Sequence, residues 1–181
     1  MEYGILNLTF PRPEYNIKIR YWEPKDQNCV IAGSKDPYIP KTTSIPVECE
    51  EKGALDWIRS QNHKITEGTD LPLCIANDST NEAIGMIGIF GLNVKDRNPR
   101  GGYWVAPPYR GNSVAAKALA MITPWVTDQI DLKAIELLIE PGNTVSRKSA
   151  EYAGYKAKEI LPAHTQIDGQ LKDMYLYSWK L

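Results

Sequence analysis

The chain has 181 residues, 43% of them hydrophobic and 24% charged, with 21 basic against 22 acidic side chains and a formal net charge of −1. That length suits one domain with a core of ordinary size, and the absence of any block of like charge argues against nucleic acid and anionic membrane as partners. No apolar run reaches the roughly 18–20 residues of a membrane helix, and the start, Met1 to Ile5, lacks the regions of a signal peptide. Cys29, Cys49 and Cys74 form neither a disulfide framework nor a metal pattern, so the chain is expected in the cytoplasm and without a metal.

A single domain is expected over 1–181, with an extended N-terminal arm over 1–14 that contains Pro11 and Pro13. Alternation of Ile17, Ile19 and Tyr21 against Lys18 and Arg20 predicts a strand over Asn16–Trp22 with one wet face. Pro24-Lys25-Asp26 starts a short helix to about Ala32, and Gly33–Pro46, with its three prolines, reads as a loop. Val47–Thr66 reads as a helix with Ala54, Leu55, Ile58 and Trp57 turned inward. Leu71–Asn77 and Glu82–Leu92 are strands joined by Asp78-Ser79-Thr80-Asn81 as a hairpin. Gly85 and Gly88 suggest a bulge or a close backbone approach in the second of them.

A third strand, Gly101–Ala106, is closed by Pro107-Pro108, and apolar spacing predicts a helix over Ser113–Asp128, kinked at Pro124. Ala134–Glu140 is a strand, Thr144–Ala153 a second helix and Met174–Leu181 a last strand. This order predicts an α/β (α+β) domain, a mixed sheet with helices packed on it.

The most informative run is Val105-Ala106-Pro107-Pro108-Tyr109-Arg110-Gly111-Asn112-Ser113-Val114-Ala115. A strand stops, and a small-residue loop opens into a helix whose unpaired N–H groups and dipole suit a phosphate. Read alone, the run is equally a tight strand-to-helix turn. It carries neither the dinucleotide glycine fingerprint nor a Walker loop. A second signal is Glu140-Pro141-Gly142-Asn143-Thr144-Val145-Ser146, which again ends a strand and opens a helix, with Gly154 as that helix's stop.

On these runs the chain resembles the GNAT acetyltransferase superfamily and, within it, the RimJ/RimL-type amine acetyltransferases. Arg110 to Ala115 match the coenzyme A loop, Arg/Gln-x-x-Gly-x-Gly/Ala, with Ser113 where glycine is usual. Gly102-Tyr103-Trp104 match the group's central strand, and Asn143, Ser146, Gly154 and Tyr155 match its Asn-x-x-Ser to Gly-Phe/Tyr helix. The tail Asp168-Gly169 to Asp173–Ser178 is similar to the group's last strand. The resemblance implies a central mixed, mostly antiparallel sheet flanked by helices, and N-acetyl transfer from acetyl-coenzyme A to a primary amine by direct attack. A non-catalytic module that binds or senses acyl-coenzyme A is the alternative.

The same resemblance implies that splayed strands ending near Val105 and Glu140 clasp the pantetheine arm, that main-chain groups of Trp104 and Val105 hold it, that Arg110, Gly111, Asn112, Ser113, Val114 and Ala115 hold the pyrophosphate, and that Asn143 anchors the arm. Many members place a tyrosine acid seven residues after the asparagine. That position is Ala150 here, so Ser146 is the candidate acid or thiolate hydrogen-bond donor, a capping or packing serine being its other reading. No carboxylate precedes Gly102. The base is then water, Glu140 or Asp173, both of which read equally as structural. Arg100 is a surface residue or a partner for an acidic acceptor group. Tyr38, on the Gly33–Pro46 loop, and Tyr103 are candidates for the acceptor pocket. The acceptor is a protein N-terminal α-amine or a small amine, and exposed aromatic strands leave a homodimer open. His63 and His164 receive no role.

Overall fold

The computed structural model describes residues 9–95, 98–130 and 132–180, so most of the N-terminal arm lies outside the described residues. Strand β1 (Ile17–Arg20) pairs antiparallel with β2 (Asp70–Asn77), β2 with β3 (Ala83–Phe90), and β3 with β4 (Arg100–Val105). Strand β5 (Ala134–Ile139) runs parallel to β4. β7 (Gln170–Lys180) is antiparallel both to β5 and to the outermost strand, β6 (Lys156–Ile167). The seven-stranded sheet therefore has the order β1-β2-β3-β4-β5-β7-β6.

Helices cover both faces. α1 (Gln27–Ser34), the single turn α2 (Ile39–Thr42) and α3 (Glu51–Thr66) pack on one, α4 (Val114–Gln129) and α5 (Thr144–Tyr152) on the other. The core under α4 and α5 is aliphatic, built from Ile87, Ile89, Leu119, Ile122, Ile135 and Leu137. The core under α1 and α3 centres on Trp22, Trp57 and Trp104, with Trp22 and Trp57 ring centroids 5.1 Å apart and edge to face.

The β2–β3 hairpin forms as its turn residues predict, while four expectations change. Arg20 does not face water: its guanidinium donates to both carboxylate oxygens of the buried Asp26, at 2.7 and 2.8 Å, pinning β1 to the start of α1. The Gly33–Pro46 loop contains α2, whose start is fixed by Asp36. The last strand begins at Gln170 rather than Met174 and is preceded by β6, a whole strand beyond the predicted elements. Helix α4 runs through Pro124 as one element. That proline lies on its exposed face, and the carbonyl four residues back belongs to the partly buried Ala120. Of the arm, Thr9 and Phe10 pack on α4, with Trp125 Nε1 donating to the Thr9 carbonyl at 2.6 Å.

One feature of the sheet positions everything that follows. β4 and β5 meet at a single register pair, Arg100 with Glu136, next to the bond from Glu136 N to Pro99 O at 3.0 Å. Beyond it the two strands part. Gly101 makes the contact tight, since a Cβ there would lie 2.6 Å from Leu137 Cδ2.

Candidate active site

β4 is halted by Pro107–Tyr109, a short 3-10 turn, as the two prolines require. Tyr109 anchors this turn by donating its hydroxyl to Glu82 Oε1 at 2.5 Å. That bond first, and burial second, push the phenol up to about 12. Gly111 has φ +88°, and a Cβ there would meet nothing within 4 Å, so a bulky ligand can approach the backbone. Ser113, with φ 56°, is the N-cap of the 16-residue α4 but makes no side-chain cap bond, leaving the first N–H groups of the helix for an anion. Its left-handed backbone is a conformation that glycine adopts freely and that costs a serine about 1–2 kcal/mol.

Arg110 is engaged twice. Its Nε donates to the Val105 carbonyl at 3.0 Å and its terminal nitrogen pairs with Asp36 Oδ2 at 2.8 Å. The other oxygen of Asp36 accepts the N–H groups of Tyr38 and Ile39, each at 2.9 Å. Burial acts to raise this carboxyl, but the Ile39 and Tyr38 N–H groups and then Arg110 outweigh it and hold it below the ordinary range.

On the other side of the parting, Asn143 caps α5 by accepting Ser146 N–H on Oδ1 at 3.1 Å. Ser146 Oγ lies 2.6 Å from the Tyr103 hydroxyl, which also donates to the Ser146 carbonyl at 3.1 Å. Burial raises the Tyr103 phenol above its ordinary value against the opposing effect of the serine bond, so it stays protonated near neutrality. Arg147, stacked 4.6 Å from the centre of the Tyr175 ring and donating to Tyr177 Oη at 3.2 Å, fixes α5 on β7 and so fixes Ser146. Tyr38 donates its hydroxyl to Glu140 Oε1. Burial first, then Glu140, raise the Tyr38 phenol, with Asn143 opposing.

Two cavities flank the parted strands. One, of about 850 Å³, holds Trp104, Val105, Arg110, Gly111, Ser113, Val114 and Ala115 in its wall, together with the exposed Lys148. The other, of about 570 Å³, lies under α3 and is lined by Trp57, Met86 and Phe90, with Glu140 as its one carboxylate among the described residues. Tyr38, Thr42, Tyr103, Asn143 and Ser146 belong to both.

The candidate residues named from the sequence thus fall at one place except Asp173 and Asn112, the latter exposed outside the cavity wall and receiving Lys117 Nζ on its carbonyl at 3.0 Å. Thr42 and Lys148 were not singled out, and no local motif marks either. Glu140 now stands apart from Asp173, whose carboxylate is spent on the Ala163 N–H at 2.8 Å in the β6–β7 hairpin. Ala150 is fully buried, in agreement with its having no part in proton transfer.

The first cavity fits the phosphate and pantetheine portions of a coenzyme A: an open glycine backbone, a long helix start and two cations beside an unpaired strand edge. Its inner end opens onto a serine, two tyrosines and a carboxylate, groups able to carry protons between an amine and a thiol. A sheet parted in this way, with a cavity that fits a coenzyme on one side and a second cavity on the other, is the arrangement an acyltransferase needs.

The comparisons name the family. Residues 16–156 match the acetyltransferase (GNAT) domain family, and the chain belongs to it. An N-acetyltransferase p20 of Bacillus licheniformis, itself uncharacterised, is 24% identical over 162 residues, covering 90% of this chain and 91% of its own. Among solved structures, Mycobacterium smegmatis RimJ in complex with CoA-disulfide superposes with TM-score 0.76 at 22% identity, over 91% of this chain and 81% of its own. The microcin C7 self-immunity acetyltransferase MccE, in complex with acetyl-CoA and AMP, gives 0.78 at 15% identity, over 93% and 94%. The chain is an N-acetyltransferase that uses acetyl-coenzyme A, the first of the two activities its motifs imply. The two structural neighbours share its fold, which leaves the acceptor to be argued from the site.

Proposed function

We propose that the chain is one acetyltransferase domain that acetylates a primary amine entering from the cavity under α3, with Glu140 taking the proton from the amine and Ser146 giving one to the departing thiolate. The observation that carries this reading is the set of five residues, Tyr38, Thr42, Tyr103, Asn143 and Ser146, common to both cavities. At that junction a donor thioester and an acceptor amine can meet.

Acetyl-coenzyme A supplies the activated acyl group. Arg110 and Lys148, with the loop from Gly111 to Ala115, hold its phosphates, the parted edge of β4 at Trp104 and Val105 holds its arm, and Asn143 holds the arm from the other side. Asn112 adds its backbone to the loop. An amine in water is mostly an ammonium, and it must shed a proton before it can attack. Glu140, the carboxylate at the junction, receives that proton, and Tyr38 steadies its near oxygen. The single phenol hydrogen of Tyr103 can serve either the Ser146 carbonyl or Oγ, and when it turns from the carbonyl to Oγ the serine hydrogen is left free to point into the junction. A neutral, proton-bearing Tyr103 can then replace what Ser146 gives up. Tyr38 and Tyr103 also form the throat through which the acceptor reaches the thioester.

Protein N-terminal α-amines and small-molecule amines both suit this throat, and the near-zero net charge steers towards neither. The three buried free cysteines support a reducing compartment, the cytoplasm, and among the described residues no helix is long and apolar enough to cross a membrane. The long, exposed edge of β6 is the surface that supports a homodimer in this reading.

Thiol release from acetyl-coenzyme A, followed against a panel of amines and N-terminal peptides, tests the proposal. Ser146→Ala and Glu140→Gln are each expected to lower kcat roughly 10²–10⁴-fold, the usual worth of a general acid or base. Coenzyme A binding by calorimetry should persist in both. Full turnover by Glu140→Gln would remove that residue from the chemistry, and full turnover by Ser146→Ala would return the serine to capping.

A further inference from the structure

The cavity under α3 is electrically two-ended. At the junction stands Glu140, and at the opposite end stand Arg100, at the start of β4, and Lys64, in the last turn of α3, while the third cation of the wall, Lys41, is paired with Asp168 at 2.8 Å. Strand alternation puts Arg100, Gly102 and Trp104 on the α3 face, and Phe90, the register partner of Arg100, lies on the same face. Gly88 and Gly102 are paired across β3 and β4. A Cβ on Gly88 would come within 2.7 Å of the Phe90 ring and one on Gly102 within 3.1 Å. The two glycines let that ring lie flat over the sheet. With Trp57 and Met86 it makes an apolar middle between the charged ends.

Arg100 is only partly neutralised. One terminal nitrogen lies 3.3 Å from Glu136 Oε2, a carboxylate that also receives Asn98 Nδ2 at 2.8 Å. Its Nε and other terminal nitrogen are buried and have no acceptor among the described residues. Buried donors without a partner are rare in native proteins and call for an acceptor. Lys64 is half-buried and has no ion-pair partner among the described residues. Among the described residues, Arg100 and Lys64 are the charged groups in the wall at this end, with Glu136 and Asp70 outside it. Along the strand, Arg100 to Tyr103 is three residues, about 10 Å at about 3.3 Å each.

We infer that the acceptor is an amine that carries an anionic group, a carboxylate or phosphate, about 10 Å from the reacting nitrogen across an apolar or aromatic spacer. Its ammonium lies towards Glu140 and Tyr38, and its anion lies towards Arg100 and Lys64. This rests on the cavity under α3 being the acceptor site. The arrangement rejects polyamines and other acceptors with a cation at the far end, because like charge there costs binding.

The test uses two probes of one shape, p-(aminomethyl)phenylacetate and its carboxamide, titrated calorimetrically into protein saturated with coenzyme A. The carboxylate should bind roughly 10- to 100-fold tighter, the range of a charge-assisted hydrogen bond. Arg100→Gln should remove most of that preference. Lys64→Gln, on a helix surface and safe for folding, should remove part of it. Equal binding of the two probes, tighter binding of the carboxamide, or no binding of either overturns the inference. So does a loss in both variants that is the same for both probes. The same probes are then given with acetyl-coenzyme A. Preferred binding of the carboxylate without thiol release would keep the ligand class and sink the proposed chemistry instead.

Discussion

Asp36 accepts bonds from two backbone N–H groups and from Arg110, and its carboxyl is held below the ordinary range by them in spite of burial. A carboxylate depressed in the folded state stabilises the fold at pH above its unfolded value, about 3.9, and loses that contribution as pH falls through the folded value. Asp36→Asn should therefore lower Tm by a constant amount from about pH 8 down to about pH 5, with the gap to the native protein closing below about pH 4. A gap that widened in acid would mean that the charge of Asp36 is not what holds α2. At this scale the sequence was informative where partners are close along the chain. Asn143 and Ser146 stand three residues apart on one helix start, so their spacing alone places them together. Glu140 could not be ranked that way, because what distinguishes it is the hydroxyl of Tyr38, 102 positions earlier.

Among the elements, β3 was legible from the hairpin turn before it and β4 from the prolines that end it, and Gly85 had suggested a bulge or a close approach there. A Cβ on Gly85 would lie 2.4 Å from the Trp104 carbonyl oxygen, a backbone atom that cannot swing away. Gly85→Ala should cost about 1–3 kcal/mol by forcing β4 outward. Because β4 carries the edge proposed to hold the coenzyme arm, it should also weaken coenzyme A binding. Denaturant unfolding and calorimetry check the two effects, and an alanine variant of native stability would show that the strands have slack. β6 was illegible for the opposite reason. It is an edge strand, exposed along nearly its whole length, with a register shift around Pro162 and a positive φ at Ala163, so no apolar alternation marks it. α2 is one turn long and its start is held by the carboxylate of Asp36 rather than by a hydrophobic pattern, which leaves periodicity nothing to detect.

At the scale of the molecule the sheet is two leaves, β1 to β4 and β5-β7-β6, joined within the sheet by one register pair. A ligand lying between the leaves touches both, so its binding energy adds directly to the stability of the fold. At 100 times Kd, coenzyme A should contribute about 2.7 kcal/mol. For a chain of this size that raises Tm by about 5–10 °C. Thermal unfolding with and without coenzyme A measures the shift, and no shift at saturation would mean that the ligand does not reach the folded state. The general architecture was readable from the order of strands and helices, and the family from its two motifs. The parting of β4 from β5 was implied by the family resemblance alone, as splayed strands ending near Val105 and Glu140, while the single pair at which they still touch, with Gly101 against Leu137, has no local mark in the sequence.

The position of β7 has a consequence for how the molecule is made. The last described strand in the chain is not at the rim of the sheet but between β5 and β6, both of which are synthesised before it. During translation β6 has no strand to pair with until β7 emerges, so the two reach β5 as a hairpin, and the cavity wall at Met174 does not exist until that hairpin has docked. Chain growth and the appearance of a working site are thereby tied together. A chain interrupted after Ile167 would lack the middle of its second leaf rather than a dispensable tail, and would expose two open strand edges in place of one.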